Sequence, residues 1–162
     1  MYRFNQYSVL ASAMLTLLGV TTGCGDSKFK FAPVEGRVLL DGQPVAKARV
    51  VFMPQSRNED GETGPYSGGK TDADGRYTLT STDEESRLGA VVGPHRIVIS
   101  TKRAHRHPTK LDVEIIDAPE VIPAVYTNYR LSPLTFDVPP GGSTSADFSL
   151  ESQAKQYRRI GY

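Results

Sequence analysis

Between residues 34 and 150 the apolar residues recur at every second position, in short segments that glycine and proline interrupt. This alternation is typical of strands with one buried face, because successive side chains of a strand point to opposite sides. The chain contains 15 glycines and 11 prolines, and both residue types interrupt helices. No helix of the length that a parallel crossover needs is evident between the segments. The pattern therefore predicts an all-β fold, an antiparallel β-sandwich of about seven strands.

Turn residues place the individual strands within this pattern. Asp41-Gly42 suits a tight turn with positive φ, and residues 72–75 are predicted to close a hairpin. A second hairpin is predicted around residues 139–142, and the Thr82-x-x-Glu85 spacing fits either one helical turn or an acidic bend. The predicted strands span residues 34–40, 48–53, 66–71, 76–81, 95–101, 134–138 and 145–150, with residues 111–115 as an edge strand.

The N-terminus carries an apolar run at residues 9–20, which follows Arg3 and ends shortly before Gly23 and Cys24. The run is too short for a hydrocarbon core of about 30 Å, which needs about 20 apolar residues. It has the length of the apolar region of a signal peptide, so residues 1–23 are predicted to be removed on export. Cleavage is expected after Gly23.

Gly23-Cys24 also resembles the lipobox of bacterial lipoproteins, in which the cysteine becomes the lipidated first residue of the mature protein. The resemblance implies that Cys24 is lipidated and binds the protein to a membrane, facing the periplasm or the cell surface. The alternative is ordinary cleavage and secretion with a free thiol. Because Cys24 is the only cysteine, no internal disulfide can form.

The composition restricts the partners that can be expected. Lys and Arg number 19 and Asp and Glu number 18, which gives a net charge of +1. A nucleic-acid-binding protein would show a basic excess, so no nucleic acid partner is expected. No cofactor is predicted either.

Three segments, in order, resemble carboxypeptidase regulatory-like domains, whose fold is a transthyretin-like (prealbumin-like) sandwich. They are Val-Glu-Gly-Arg-Val with Asp-Gly-Gln-Pro-Val and Ala-Arg-Val-Val-Phe at residues 34–52, Thr-Asp-Ala-Asp-Gly-Arg-Tyr at residues 71–77, and the Gly-rich corner at residues 89–97. His95 stands where the family usually has tyrosine. The resemblance covers nearly all of residues 34–150 and implies a non-catalytic accessory or surface module.

The predicted organisation has four parts. Residues 1–23 are the signal peptide, and residues 24–33 are the lipidated N-terminus and a polar tether. Residues 34–151 are the β-sandwich, and residues 152–162 are a polar tail. The function expected for such a chain is a structural or interaction role at a bacterial envelope, with an envelope protein or a polysaccharide as the partner.

Residues 102–110 are predicted to form a basic loop, which is a candidate surface for phosphate-bearing lipid or polysaccharide. Its cationic residues are Lys102, Arg103, Arg106 and Lys110. His105 and His107 have a spacing open to zinc or copper, but Arg106 between them opposes a dication and no third ligand is evident. No metal site is therefore predicted here.

Further chemical readings are weaker. Asp72 and Asp74 suggest calcium, but turn geometry explains both residues. The transthyretin-like branch of hydroxyisourate hydrolases ends in Tyr-Arg-Gly-Ser, whereas this chain has Tyr-Arg-Arg-Ile at residues 157–160. No histidine has a nucleophile and an orienting carboxylate in its sequence context, so catalysis is not expected.

Two alternatives concern lysine and tyrosine residues. A covalent cross-link of the kind found in self-linked adhesin sandwiches would involve Lys47 or Lys70 with Asn128. A carbohydrate-binding patch would use the tyrosines that are predicted to lie in loops, which are Tyr66, Tyr126 and Tyr129. The aromatic residues at alternating strand positions are instead expected in the core, and they are Phe52, Tyr77, Phe136 and Phe148.

Overall fold

The computed structural model describes residues 28–57, 60–106, 108–109 and 114–153. The predicted signal peptide, the cleavage site at Gly23, the lipidation site Cys24 and the two loop residues His107 and Lys110 lie outside the described residues. Most of the predicted tail, residues 154–162, also lies outside them.

The described chain forms thirteen short strands and one short helix. They are β1 (Phe31–Ala32), β2 (Glu35–Leu40), β3 (Gln43–Pro44), β4 (Arg49–Pro54), β5 (Ser67–Lys70), β6 (Arg76–Thr78), β7 (Thr80–Ser81), β8 (Ala90–Val91), β9 (Gly93–Ser100), β10 (Arg103–Arg106), β11 (Glu114–Ala118), α1 (Ala124–Thr127), β12 (Thr135–Val138) and β13 (Phe148–Leu150). Among the described residues, no helix is long and apolar enough to cross a membrane.

Two sheets pack face to face. The first has five strands in the order β12-β9-β4-β5-β7, and the second has the order β13-β2-β3, with β6 also paired to β2. Every pair in the first sheet is antiparallel, whereas β13 runs parallel to β2 in the second. The predicted all-β antiparallel sandwich is confirmed. The predicted number of about seven strands is wrong, because one expected strand, residues 76–81, is divided into β6 and β7, and because the short strands β1, β3, β8 and β10 form outside the predicted strands.

The predicted hairpin around residues 72–75 is correct at its turn and only partly correct in its pairing. Asp72 N–H donates to the carbonyl of Arg76 at 2.9 Å, and Gly75 takes the positive φ of 76°. The second arm then divides: β6 pairs with β2, and β7 pairs with β5. The carbonyl of Thr78 can lie against β5 at this crossing because Gly69 has no Cβ to obstruct it.

The predicted second hairpin does not form. β12 is antiparallel to β9 in one sheet, and β13 is parallel to β2 in the other. Val138 of β12 and Phe148 of β13 are both buried, so each of these two strands buries its apolar residues as part of a different sheet. An alternating pattern specifies which face of a strand is buried, but it does not identify the neighbouring strand.

Other local predictions have clearer outcomes. Asp41 and Gly42 have φ values of 50° and 79° and join β2 to β3, which confirms the predicted tight turn. The Thr82 to Glu85 segment is the acidic bend and not a helical turn. Ala32 lies in the core and pairs with Ala90, so the packed domain begins inside the segment predicted as tether.

Phe52 occupies the centre of the core. Its side chain has no exposed surface, and its ring centroid lies 5.6 to 6.4 Å from four other rings. Those rings belong to Tyr77, His95, Phe136 and Phe148. The prediction that the aromatic residues on strands form the core is therefore confirmed, with Phe136 half-buried and the other three predicted residues buried.

His95 points inward from β9 and is 1% exposed. Its Nδ1 lies 2.8 Å from the carbonyl of Gly93, and its Nε2 has no partner among the described residues. Burial lowers the pKa of the imidazole, and this effect exceeds the opposing effects of the Gly93 carbonyl and of Asp137. The ring is therefore neutral in the folded protein, with Nδ1–H donating to Gly93.

This environment predicts a pH-dependent stability. Because the folded-state pKa of His95 is lowered, the unfolded state binds its proton first as the pH falls below about 6.5. The His95→Phe variant, which cannot take up that proton, should lose less unfolding free energy than the wild type between about pH 7.5 and about pH 5.5. Urea unfolding at the two pH values measures the difference, and identical losses would show that His95 does not titrate differently on unfolding.

Candidate anion-binding groove

The outer face of the five-stranded sheet carries a row of polar and cationic residues. Arg49 of β4 lies opposite Lys70 of β5 on one side and opposite Ser100 of β9 on the other. These positions point away from the core, since the alternate residue Val50 is fully buried. Cross-strand neighbours of this kind have Cβ atoms about 4.5–5.5 Å apart, so the side chains of Arg49 and Lys70 leave the sheet side by side.

A groove of about 570 Å³ lies over this row. We call it the cationic groove. Five of its lining residues are cationic, namely Lys47, Arg49, Lys70, Lys102 and Arg103. The other lining residues are Val51, Tyr66, Gly68, Gly69, Thr82 and Ser100, so no carboxylate lines the groove within the described part of the chain.

Lys47 is presented by a turn that Thr71 fastens to the sheet. The buried Thr71 hydroxyl donates to the carbonyl of Val45 at 2.6 Å and accepts from Ala48 N–H at 2.8 Å. Lys47 N–H also donates to the carbonyl of Thr71 at 3.0 Å. Lys47 itself has a φ of 60°, which lies in the left-handed region of the backbone that residues other than glycine rarely adopt. The backbone is thus held in one conformation where this lysine enters the groove.

Arg103 is the first residue of β10 in the antiparallel ribbon of β10 and β11, Lys102 directly precedes it, and Glu120 accepts hydrogen bonds at the base of the ribbon. Thr101 N–H and Ile122 N–H each donate to Glu120 Oε1 at 2.9 Å, and Ser100 Oγ donates to Oε2. Burial of Glu120 raises the pKa of its carboxyl, but the hydrogen bonds from Ser100, Thr101 and Ile122 outweigh it and hold the pKa below its usual range. Glu120 is not itself a lining residue of the groove, and both of its carboxylate oxygens already accept hydrogen bonds.

The positive charge of the groove is mostly uncompensated. Lys102 Nζ lies 2.8 Å from Glu114 Oε2. The other four cations form no ion pair and no side-chain hydrogen bond with any described residue. Like charges directly opposite on neighbouring strands destabilise a sheet, so the Arg49 and Lys70 pair costs stability in the absence of an anion.

The floor and one wall of the groove are apolar. Gly68 lies opposite Val51, and a Cβ added at Gly68 would approach only the Val50 carbonyl, at 3.8 Å. The missing side chain leaves the floor open. Tyr66 forms the wall with 51% of its surface exposed, while its backbone carbonyl accepts hydrogen bonds from Thr82 N–H and Oγ1. A flat amphipathic ring beside clustered cations suits a ligand with both charged and apolar parts.

The prediction of a basic loop is wrong for residues 103–106, and the prediction that its cations bind an anionic surface stays a prediction. Residues Arg103–Arg106 form β10, because the segment pairs with Glu114–Ala118. Lys102 and Arg103 line the groove, whereas Arg106 lies further along the ribbon and is not among the lining residues. Lys110 lies outside the described residues.

Sequence reasoning did not identify Arg49 as a groove residue, nor the role of Lys47 and Lys70. Arg49 and Lys70 stand at outward positions of predicted strands, which was the available signal. The pairing of β4 with β5 and β9 had to be known before these positions could be placed side by side.

The remaining candidate sites take other roles. His105 Nδ1 lies 2.9 Å from Asp117 Oδ2, and in the described ranges no three His, Cys, Asp or Glu residues are grouped to hold a metal. Asp72 Oδ1 accepts hydrogen bonds from Asp74 N–H and Arg76 N–H, as expected for a turn residue.

The predicted tyrosine patch is not formed. Tyr126 is buried in α1, and Tyr129 lines a different cavity from Tyr66. Asn128 lines that second cavity as well, apart from the groove that contains Lys47 and Lys70.

Comparison with known proteins adds little. No family model matches the chain, and no curated protein matches it. Among solved structures, a 9R-lipoxygenase from Cyanothece PCC8801 shares 11% identity over 75% of this chain, with a TM-score of 0.34. The chain spans 16% of the length of that lipoxygenase, and a likeness at this TM-score carries no argument about fold or activity.

Proposed function

We propose that this protein is an exported, lipid-anchored and non-catalytic β-sandwich that binds anionic groups in the cationic groove at a bacterial envelope. The observation that carries the proposal is the row of cations across β4, β5 and the base of the ribbon, with no carboxylate among the described lining residues. Phosphate, sulfate and carboxylate groups all fit this charge. The mode of action is binding, through a surface of fixed backbone geometry.

The electrostatic repulsion among the cations of the groove supports this role. Arg49 and Lys70 repel each other across neighbouring strands, and Lys47 adds a third cation from a left-handed turn position. When an anion enters a site that places like charges together without an acidic partner, its charge offsets their repulsion and stabilises the protein. Unfavourable local arrangements that the fold maintains are frequent at binding sites.

The chemistry of the lining favours binding over catalysis. Among its described lining residues the groove has no histidine, cysteine or carboxylate that would act as a general base near neutral pH. Ser100 and Thr82 are the serine and the threonine among the described lining residues, and the Ser100 hydroxyl already donates a hydrogen bond to Glu120. Lysine, arginine and glycine on a rigid sheet are suited to hold an anion.

The sequence of the N-terminus supports the location. The apolar run at residues 9–20 and the Gly23-Cys24 pair are typical of an exported lipoprotein, and the polar segment before Phe31 would separate the sandwich from the membrane. An anchored module would meet the anionic lipids and polysaccharides of the envelope at high local concentration.

The groove is tested with inorganic pyrophosphate, titrated calorimetrically into the full chain in a nonionic detergent. The wild type should bind, and the dissociation constant should rise with salt because the contacts are exposed and screened. Lys70→Glu should weaken binding by about tenfold. The substitution removes one attraction to the anion and adds one repulsion, and together these changes cost about 1 kcal/mol or more of binding free energy.

Two matched variants separate charge from shape. Lys30→Glu makes the same charge change at an exposed lysine outside the groove and should leave the dissociation constant within about twofold. Gly68→Val fills the floor without altering any charge and should weaken binding at least as much as Lys70→Glu. Equal effects of Lys30→Glu and Lys70→Glu would show non-specific attraction and overturn the groove as the binding site.

The anchor is tested by intact mass spectrometry of the chain purified from native membranes. The mature protein should begin at Cys24 and carry acyl chains, and Cys24→Ala should lose them. Two or more chains would bind far more firmly than one, at about 0.8 kcal/mol per buried methylene. A bare mass that begins downstream of Gly23 would contradict the anchor and leave the groove unaffected.

A further inference from the structure

We infer that the ligand of the cationic groove is an anionic amphiphile, whose charged head binds in the groove and whose alkyl chain enters an adjoining apolar pocket. The inference rests on the proposed function and specifies the class of ligand. The apolar pocket has a volume of about 380 Å³, and its apolar lining includes Leu40, Pro44, Val45, Ala118, Pro119 and Val121.

The two cavities share two cationic lining residues. Lys47 and Arg103 line both the cationic groove and the apolar pocket. An anionic group that these two residues bind would therefore stand at the junction. A chain attached to that group has an apolar path on the side away from Arg49 and Lys70. The distribution of charge fixes the direction in which an amphiphile would lie.

The apolar pocket lies between separate parts of the fold. One wall is the hairpin of β2 and β3 with the turn that follows it, and the other is the end of β11 with residues 119–121. Val45 is 7% exposed at the base, and Val121 is 56% exposed at the rim. Covering exposed apolar surface of this kind with an alkyl chain is favourable, because it removes apolar surface from water.

The rim of the pocket is held in place before any ligand arrives. Val121 N–H donates to Thr101 Oγ1 at 2.9 Å, and the neighbouring Glu120 accepts the hydrogen bonds that fasten the ribbon base. A preformed rim avoids much of the ordering cost that a mobile loop would incur on binding. The same segment, residues 119–121, therefore supports the groove on one side and the pocket on the other.

A homologous series of alkyl phosphates tests the inference, because the head stays constant while the chain grows. The probes are methyl phosphate and hexyl phosphate, titrated into the full chain in the same nonionic detergent. Each methylene that enters the pocket should tighten binding by about fourfold, so hexyl phosphate should bind at least about tenfold more tightly than methyl phosphate. Hexyl glucoside, which has the chain without the charge, should bind at least about tenfold more weakly than hexyl phosphate.

Two variants locate the alkyl chain. Val121→Asn should reduce the advantage of hexyl over methyl phosphate by about threefold or more and leave methyl phosphate unchanged. Leu131→Asn changes an exposed leucine, 42% exposed and outside both cavities, and should preserve the full advantage. Both positions are exposed, so neither variant should unfold the sandwich.

The outcomes separate this inference from the proposed function. Equal binding of methyl and hexyl phosphate would overturn the amphiphile and leave the anion-binding groove standing. Failure of both phosphates and of pyrophosphate to bind would overturn the groove itself. Equal binding of hexyl glucoside and hexyl phosphate would overturn the charged head as a determinant. Sedimentation showing a dimer that Val121→Asn dissociates would assign the pocket to a second copy of the chain and overturn the inference.

Discussion

Replacing Phe52 with alanine is expected to lower the free energy of unfolding by about 3–5 kcal/mol. The Phe52 side chain has no exposed surface, and its ring meets aromatic side chains from both sheets, among them Tyr77 and Phe148. Truncation removes the transfer free energy of the ring and leaves a cavity that the two rigid sheets cannot close. No other single truncation in the described core removes contacts with four rings at once.

Urea unfolding followed by circular dichroism measures this loss. Phe136 is the matched control, because it is half-buried and its ring contacts Phe52 on one side only. Phe136→Ala should cost clearly less than Phe52→Ala. A domain of this size has about 5–15 kcal/mol of stability, so Phe52→Leu provides a milder variant if the alanine variant does not fold. A loss below about 1 kcal/mol for Phe52→Ala would contradict its central position in the core.

Replacing Gly36 with alanine is expected to cost about 3 kcal/mol or more, from overpacking together with damage to a buried hydrogen bond. A Cβ on Gly36 would collide with the carbonyl of Ala146 and lie 3.0 Å from the hydroxyl of Tyr77. That hydroxyl donates to the same carbonyl at 2.5 Å, and burial, reinforced by Asp147, raises the pKa of Tyr77 and keeps it protonated. The added methyl would push the two groups apart.

Gly141→Ala is the control for this substitution. Gly36 and Gly141 both lack a positive φ, so neither has the backbone restriction that favours glycine. A Cβ at Gly141 meets nothing within 4 Å, and the substitution should change stability by less than about 0.5 kcal/mol. Similar urea midpoints for the two variants would contradict the close approach of the segment before β13 to β2.

Much of the local structure could be predicted from the sequence because it depends on short-range patterns. The alternation around Phe52 and Ile97 identified the inward faces of β4 and β9, and Asp41-Gly42 identified a turn. Both signals arise from the chemistry of adjacent residues: side chains alternate across a strand, and glycine tolerates positive φ.

Pairing between strands could not be predicted in the same way. The arm after Gly75 divides between two sheets, and β13 lies beside β2 although β12 precedes it in the chain. Sheet hydrogen bonds use backbone groups that every residue carries, so the sequence of one strand does not identify its neighbour. The partner is set by how the whole core closes.

The candidate site shows the same division between local sequence and tertiary structure. By itself the sequence determined that the chain is a β-sandwich and that the segment from Lys102 onward is basic, and its N-terminus resembles that of an exported lipoprotein. Only the tertiary structure decided that Lys102 and Arg103 stand beside Lys70 and Arg49. The reason is physical: cations that repel one another are brought together by strand register and core packing, whose free energy exceeds their repulsion.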